Sequence, residues 1–284
     1  MDIESLLKSA KNNLKSKNIE SYSLDAELLL MHVLDMSRVE LVTKSHIAIE
    51  LDKQQEYFLL VERRLNFEPV QYILNKAEFM GLDFYVDKNV LIPRGDTECL
   101  VEEVLLYIEK NNCVNVIDIC TGSGCIPISL ISLSKSLTQI TAVDISPEAL
   151  SVAKKNATRH NVYDKISFVE SDMFESIPLT MKKEVDVIIS NPPYIDTREI
   201  GLLKENVKNY EPILALDGKE GGLYFYKEIA KKSKDYLKTD GKIFMEIGSE
   251  QADLVKDIFL KEGYKDTKVK KDLSGLDRIM VVDR

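Results

Sequence analysis

Asn191-Pro192-Pro193-Tyr194 sets an amide, two prolines and a phenol directly after the apolar, β-branched run 185–190. Alkylating a planar nitrogen, in an amide or an exocyclic amine, requires turning a delocalised lone pair toward an electrophile. Two acceptors that take both N–H hydrogens do this. The Asn191 side-chain oxygen and the Pro192 carbonyl, one residue apart, suit that task. Proline holds φ near about −65° and steadies its carbonyl, and the Tyr194 ring suits packing against the flat group. The competing reading of Asn191 to Tyr194 is a proline-rich turn after a core strand, with Tyr194 as surface packing.

A second cluster bears on that choice. Val116 to Cys120 reads as a buried strand, followed by Thr121-Gly122-Ser123-Gly124 and a helix. Glycines at this junction let backbone N–H groups approach a ligand at a helix N-terminus. Asp144 ends the next strand 22 positions after Gly122, close to the spacing at which an acidic residue grips ribose hydroxyls. Pro127 stands where a dinucleotide fingerprint has its third small residue, and the Asn-Pro-Pro-Tyr loop has no role in hydride chemistry. S-adenosylmethionine fits better than a nicotinamide. Its ribose is expected on Asp144, its adenine near Asp172 and Met173, and its amino-acid tail along Cys120, Thr121, Gly122, Ser123 and Gly124. Asp118 is expected to act through the glycine loop; capping or turn stabilisation is the alternative for Asp118 and Asp172.

The elements that must position these groups follow from periodicity. Residues 1–75 repeat apolar positions at helical spacing and form a small helical bundle. Ser23 is its expected cap before a helix over 24–34, and Asp52 with Gln55 its expected capping box. Residues 76–92 read as a β-hairpin linker turning at Asp87-Lys88-Asn89. Residues 93–284 are expected to form the domain that binds the methyl donor. It opens with a helix over about 97–110 capped by Asp96 or Thr97, and Arg94 is expected to be exposed or paired with a carboxylate. Strands and helices then alternate, with a helix expected around 222–237 and a fifth strand over 242–247. Two closing strands have no helix between them. Alternation predicts an α/β, Rossmann-like, mostly parallel sheet, and the closing pair an antiparallel edge.

The whole chain sets bounds. Its 284 residues are ample for two domains, and 44% hydrophobic with 30% charged residues describe a soluble globular protein. A net charge of −9 counts against broad nucleic-acid binding. The four cysteines show no metal spacing with the three histidines, so no metal is expected and the thiols read as reduced. No signal peptide or membrane-spanning run is apparent, which predicts a cytoplasmic protein.

Over essentially its whole length the chain resembles the bacterial release-factor glutamine N5-methyltransferases. The resemblance rests on Leu91-Ile92-Pro93-Arg94-Gly95-Asp96-Thr97-Glu98, Asp118 to Gly124, Asp144, Asn191-Pro192-Pro193-Tyr194-Ile195, Glu211-Pro212, Ala215-Leu216 and Gly275-Leu276-Asp277-Arg278. It implies a seven-stranded class I methyltransferase sheet with an N-terminal helical domain and a hairpin linker. It also implies methylation of the glutamine in the Gly-Gly-Gln loop of peptide-chain release factors. Cys120 to Gly124, Asp144, Met173 and Asn191 would then contact the cofactor, and Asn191, Pro192, Pro193 and Tyr194 the glutamine. A monomer is expected, with release factors as protein partners and neither nucleic acid nor membrane. Two residues depart from the family pattern. Cys120 stands where glycine is common, and Met173 where an aromatic residue often packs on adenine. Other readings are a ribosomal-protein glutamine methyltransferase, an adenine-N6 methyltransferase of DNA or RNA, a non-catalytic cofactor-binding protein, and a dehydrogenase.

Overall fold

The computed structural model describes residues 1–284, which divide into two compact units. The first comprises Met1–Lys76 and Lys204–Tyr210; the second comprises Ala77–Leu203 and Glu211–Arg284.

The first unit contains α1 (Ile3–Ser16), α2 (Tyr22–Leu34), α3 (Arg38–Thr43), α4 (Leu51–Leu65) and α5 (Val70–Leu74). Leu6, Ala10 and Leu14 of α1 meet Leu29, Leu30, Tyr57 and Val61 in one apolar core. Burying each large aliphatic side chain contributes roughly 1.5–3 kcal/mol. Two of the expected caps lie elsewhere. Ser23 falls inside α2, which starts at Tyr22; the N-cap is Ser21, whose carbonyl accepts from Asp25 N (2.9 Å) and whose hydroxyl donates to the Asp25 carboxylate. Asp52 lies within the first turn of α4, whose N-cap is Glu50. The capping box is Ser37 with Glu40 at the start of α3, where each side chain bonds the other's backbone N–H.

The second unit opens with a hairpin of β1 (Ala77–Phe79) and β2 (Leu82–Phe84). Its turn is Met80-Gly81, both at positive φ (53° and 72°), rather than Asp87-Lys88-Asn89. A two-residue turn of this kind matches the twist of the paired strands. The helix α6 (Gly95–Asn111) follows, with Arg94 rather than Asp96 or Thr97 as N-cap.

Next in chain order are β3 (Asn115–Ile119), α7 (Cys125–Leu133), β4 (Gln139–Asp144), α8 (Pro147–Arg159), β5 (Ile166–Glu170) and β6 (Val185–Ser190). The short α9 (Glu205–Lys208) lies in the segment belonging to the first unit. The chain ends with α10 (Tyr224–Lys232), β7 (Leu237–Glu246), α11 (Ala252–Lys261), β8 (Asp266–Lys271) and β9 (Asp277–Asp283). The helix expected to reach 237 stops at Lys232, because the Tyr236 carbonyl accepts from Val185 N and Leu237 already pairs with Val185.

The seven strands run in the order β5-β4-β3-β6-β7-β9-β8, with β9 antiparallel to both its neighbours. This is the class I methyltransferase arrangement. From Val187 on, β6 alternates between two cores, Val187 and Ile189 packing with α6 and α7 and Ile188 with α10 and α11; a register irregularity between Val185 and Val187 puts Val185 on the side of Ile188. Both faces are covered, so the central strands are apolar throughout. The strand order reverses between β3 and β6, the switch point beside which such sheets bind ligands. No helix is long and apolar enough to cross a membrane.

Candidate active site

At the carboxyl ends of β3, β4, β5 and β6 the second unit holds a cavity of about 260 Å³. Cys120, Thr121, Gly122, Ser123, Asp144, Asp172, Met173, Asn191 and Pro193 line it; Gly124, Pro192 and Tyr194 do not.

The glycine loop is held largely by backbone. Thr121 N donates to the Val143 carbonyl (2.9 Å) and Gly124 N to the Thr121 carbonyl (2.9 Å). Gly124 is the N-cap of α7, and Pro127 sits in the first turn, where no backbone donor is required. Gly122, at φ 54°, donates its N–H to Asp144 Oδ2 (2.8 Å), and a Cβ there would meet only open space. Asp144 Oδ1 accepts from Ser146 N (3.0 Å). Burial raises the Asp144 pKa, opposed by these two N–H groups. From behind, the fully buried Asn156 amide donates to the Ser123 carbonyl (2.9 Å) and the Tyr85 carbonyl (2.9 Å). Cys120 has φ 62° and Met173 φ 51°. Left-handed backbone explains why glycine suits the first position, and any other residue there is strained by roughly 1–2 kcal/mol.

Asp118 lies beneath this loop with no exposure, and no well-formed hydrogen bond reaches either carboxylate oxygen or the neighbouring Thr121 hydroxyl. Desolvation pushes the Asp118 acid up to about 8, Thr121 opposing and the Asp144 charge adding. Asp118 therefore caps no turn. At the far wall Met173 is buried against the sheet, while Asp172 is exposed.

The Asn-Pro-Pro-Tyr loop is braced by side chains from distant elements. Ser190 Oγ donates to the Ile119 carbonyl (2.7 Å), pinning β6 to β3. Asn191 Nδ2 donates to Thr97 Oγ1 of α6 (3.1 Å). Thr97 in turn donates to Glu246 Oε2 at the end of β7 (2.6 Å). The Tyr194 hydroxyl donates to Glu246 Oε1 (3.2 Å), and the Tyr194 carbonyl accepts from Gln251 Nε2 (2.9 Å). Tyr194 thus faces the core under β7 rather than the cavity. Its phenol pKa is raised by burial and by the Glu246 charge. Burial raises the Glu246 pKa too, opposed by Thr97, Arg278 and Tyr194. The segment 218–222 presses on this backbone: a Cβ on Gly222 (φ 78°) would lie 2.2 Å from the Tyr194 carbonyl oxygen. Pro192 is buried, and its carbonyl accepts no hydrogen bond from the chain.

Further walls of the cavity include Lys88 to Leu91, Arg94, Thr97, Pro212, Leu214 and Phe225. Arg94 pairs with the buried Glu211 (2.5 Å), as one of its two expected states. Glu211 also accepts from Ile92 N (3.3 Å), and burial raises its pKa against the Arg94 charge. Sequence reasoning left out Thr97, Asn156 and Glu246 as parts of this site. Each is a buried polar residue on an element that also carries exposed polar residues, so periodicity gave no signal for their burial.

Two family models match. "PrmC N-terminal domain" covers residues 5–74, and "Methyltransferase small domain" covers residues 97–219. The release factor glutamine methyltransferase of Clostridium acetobutylicum is 43% identical over 284 residues, spanning 100% of this chain and 99% of that protein. The protein of the same name from Clostridium botulinum is 40% identical over 280 residues, 99% of this chain and 98% of that one. Among solved structures, a methyltransferase from Pyrococcus furiosus superposes with a TM-score of 0.51 at 16% identity, covering 72% of this chain and 90% of that one. That likeness bears on the fold alone. With the relatives aligned from end to end, the chain belongs to the release factor glutamine methyltransferase family.

Proposed function

We propose that this chain transfers a methyl group from S-adenosylmethionine to the side-chain amide nitrogen (N5) of the glutamine in the Gly-Gly-Gln motif of peptide-chain release factors. Family membership supports the substrate class. The observation that carries the chemistry is that the Asn191 amide lines the same cavity as Gly122 and Asp144, with its NH2 end already bonded to Thr97.

The donor set suits this cofactor. Asp144 presents a carboxylate for a ribose diol, and Gly122 leaves open space where any side chain would intrude. Asp118 and Thr121 bring unsatisfied polar atoms up beneath the loop, a match for a cationic amino-acid tail. Met173 supplies a polarizable wall for adenine beside Asp172. When bound, S-adenosylmethionine supplies a methyl group on a positively charged sulfur.

The chain's own residues perform the rest. Asn191 Oδ1 and the Pro192 carbonyl accept the two hydrogens of the glutamine NH2, so that its lone pair turns toward the donor. Pro193 lines the cavity, and Tyr194, tied to Glu246 and Gln251, fixes the loop's far end. Asn191 Oδ1 holds the departing proton until water takes it, so no separate base is required. Positioning of this kind is worth up to roughly 7–11 kcal/mol of barrier. The helical unit, with a net charge of −3 over residues 1–75, serves as the recognition module for the release factor. The protein acts as a cytoplasmic monomer.

The direct test incubates the protein with labelled methyl donor and purified release factors, followed by peptide mass mapping. Label on the Gly-Gly-Gln glutamine is expected. Label on a nucleic acid or a ribosomal protein, with none on release factors, overturns the reading.

A further inference from the structure

One hydroxyl lies between the Asn-Pro-Pro-Tyr loop and the interior of the second unit. Thr97, in the first turn of α6, is 3% exposed; Glu246, at the end of β7, is 1% exposed. The Thr97 oxygen contacts both Asn191 Nδ2 (3.1 Å) and Glu246 Oε2 (2.6 Å). A hydroxyl has a single hydrogen to give and two lone pairs to offer. Against its burial, the Thr97 hydroxyl, Arg278 and the Tyr194 hydroxyl favour the ionised Glu246, and an ionised carboxylate is acceptor-only, so it takes that hydrogen and leaves Thr97 purely an acceptor toward Asn191. An acceptor there bonds the NH2 end of the asparagine amide and repels the oxygen end.

The two ends of an asparagine amide are nearly identical in shape, so packing alone sorts them poorly; the hydrogen-bond partners decide. Freed from Glu246, the Thr97 hydroxyl would donate to Asn191 Oδ1 as readily as accept from Nδ2. A flipped amide would present NH2 toward an incoming NH2, donor against donor. Glu246 also accepts from the Tyr194 hydroxyl (3.2 Å), so one carboxylate bears on both ends of the loop.

We propose that Glu246, acting through Thr97, is a positioning residue that sets which end of the Asn191 side chain faces the methyl-accepting group. This rests on the functional reading above only for the identity of that group. Neither Thr97 nor Glu246 needs to touch substrate for this role.

The test compares Thr97→Ser, which keeps the hydroxyl, with Thr97→Val, which matches threonine in shape and lacks it. Glu246→Gln and the Thr97→Val/Glu246→Gln double variant complete the set. Each is assayed for kcat on a release factor, for donor affinity by calorimetry, and for melting temperature. Protection of the Asn191 Nδ2 hydrogens is followed by NMR hydrogen exchange. Thr97→Ser is expected within about threefold of wild type. Thr97→Val and Glu246→Gln should each lower kcat roughly ten- to hundredfold, the range that small misplacements cost. Donor affinity should stay within about threefold. The double variant should be no worse than the weaker single, because both changes act on one amide.

Normal kcat in Thr97→Val overturns the proposal. So do parallel losses of kcat, donor affinity and melting temperature, which would make Thr97 a structural prop. If Glu246→Gln does not fold, the Thr97 pair decides alone. If wild type methylates no release factor, the functional reading fails. Asn191 protection in wild type and Thr97→Ser, lost in Thr97→Val, then still decides the orientation, and equal protection in all three refutes it.

Discussion

The glycine loop after β3 and the Asn-Pro-Pro-Tyr loop after β6 leave neighbouring parallel strands, yet their partners differ in kind. The first is fixed mostly by backbone, to Val143, to its own Thr121 and to the Asp144 carboxylate at the end of the next strand. The second is fixed by side chains from α6, β7 and Gln251, which are 94, 52 and 57 residues away for the bonds to Thr97, Glu246 and Gln251. A locally determined cradle suits the proposed cofactor site, and partners that close in from outside the loop suit the proposed aiming of one amide oxygen.

This difference predicts that damage to the two loops shows in different kinetic parameters. Asn191→Ala should have the largest effect, lowering kcat roughly 10²–10³-fold, the scale for deleting one preorganised polar group at a reacting centre. Donor affinity measured by calorimetry should barely move. Near-normal turnover would end the acceptor model. Asp144→Ala should do the reverse, weakening donor binding roughly 10- to 100-fold, the size of one charge-assisted hydrogen bond. At saturating donor most of kcat should return. If both variants moved the same parameter, the two loops would not be functionally separate.

Asp118 sharpens the contrast, because it makes the cofactor loop costly when no cation lies above it. Its folded pKa, raised to about 8, means the folded chain holds a proton that the unfolded chain releases near pH 4. Its contribution to stability is therefore greatest below pH 4 and is lost as pH rises through about 8. In scanning calorimetry without donor, Asp118→Asn should be the more stable protein at pH 8. Each kcal/mol gained corresponds to roughly 2–4 °C in a chain of this size. Added donor should stabilise wild type more than the variant; equal stabilisation would separate Asp118 from the cofactor. The smallest effect is expected at Cys120, where φ is 62°. Glycine relieves the left-handed strain but adds unfolded-state freedom, so Cys120→Gly should change unfolding stability by less than about 1 kcal/mol in denaturant titration.

The same division explains what could be read in advance. The structure of the glycine loop was legible because glycine spacing, the strand before it and Asp144 after it are close in sequence, and each constrains local backbone. Asn191 was legible because two prolines after an apolar run leave few structures for the chain to adopt. Ser23, Asp52 and the Asp87-Lys88-Asn89 turn were misread. Several nearby residues there had equal claim to cap or turn, and tertiary packing chose Ser21, Glu50 and Met80-Gly81.

The sequence by itself determined the order of strands and helices, the antiparallel close, the glycine loop and the place of Asn191 at the end of an apolar strand, the amide proposed to handle the acceptor nitrogen. All of these follow from hydrophobic period and from the restricted backbone of glycine and proline. Only the tertiary structure decided that Tyr194 turns inward to Glu246, that Thr97 receives the NH2 end of Asn191, and that Asp118 is sealed without a partner. Those outcomes are hydrogen bonds, or missing ones, among buried groups far apart in the chain. Which buried donor meets which acceptor is settled only when the sheet brings the ends of β3, β6 and β7 together.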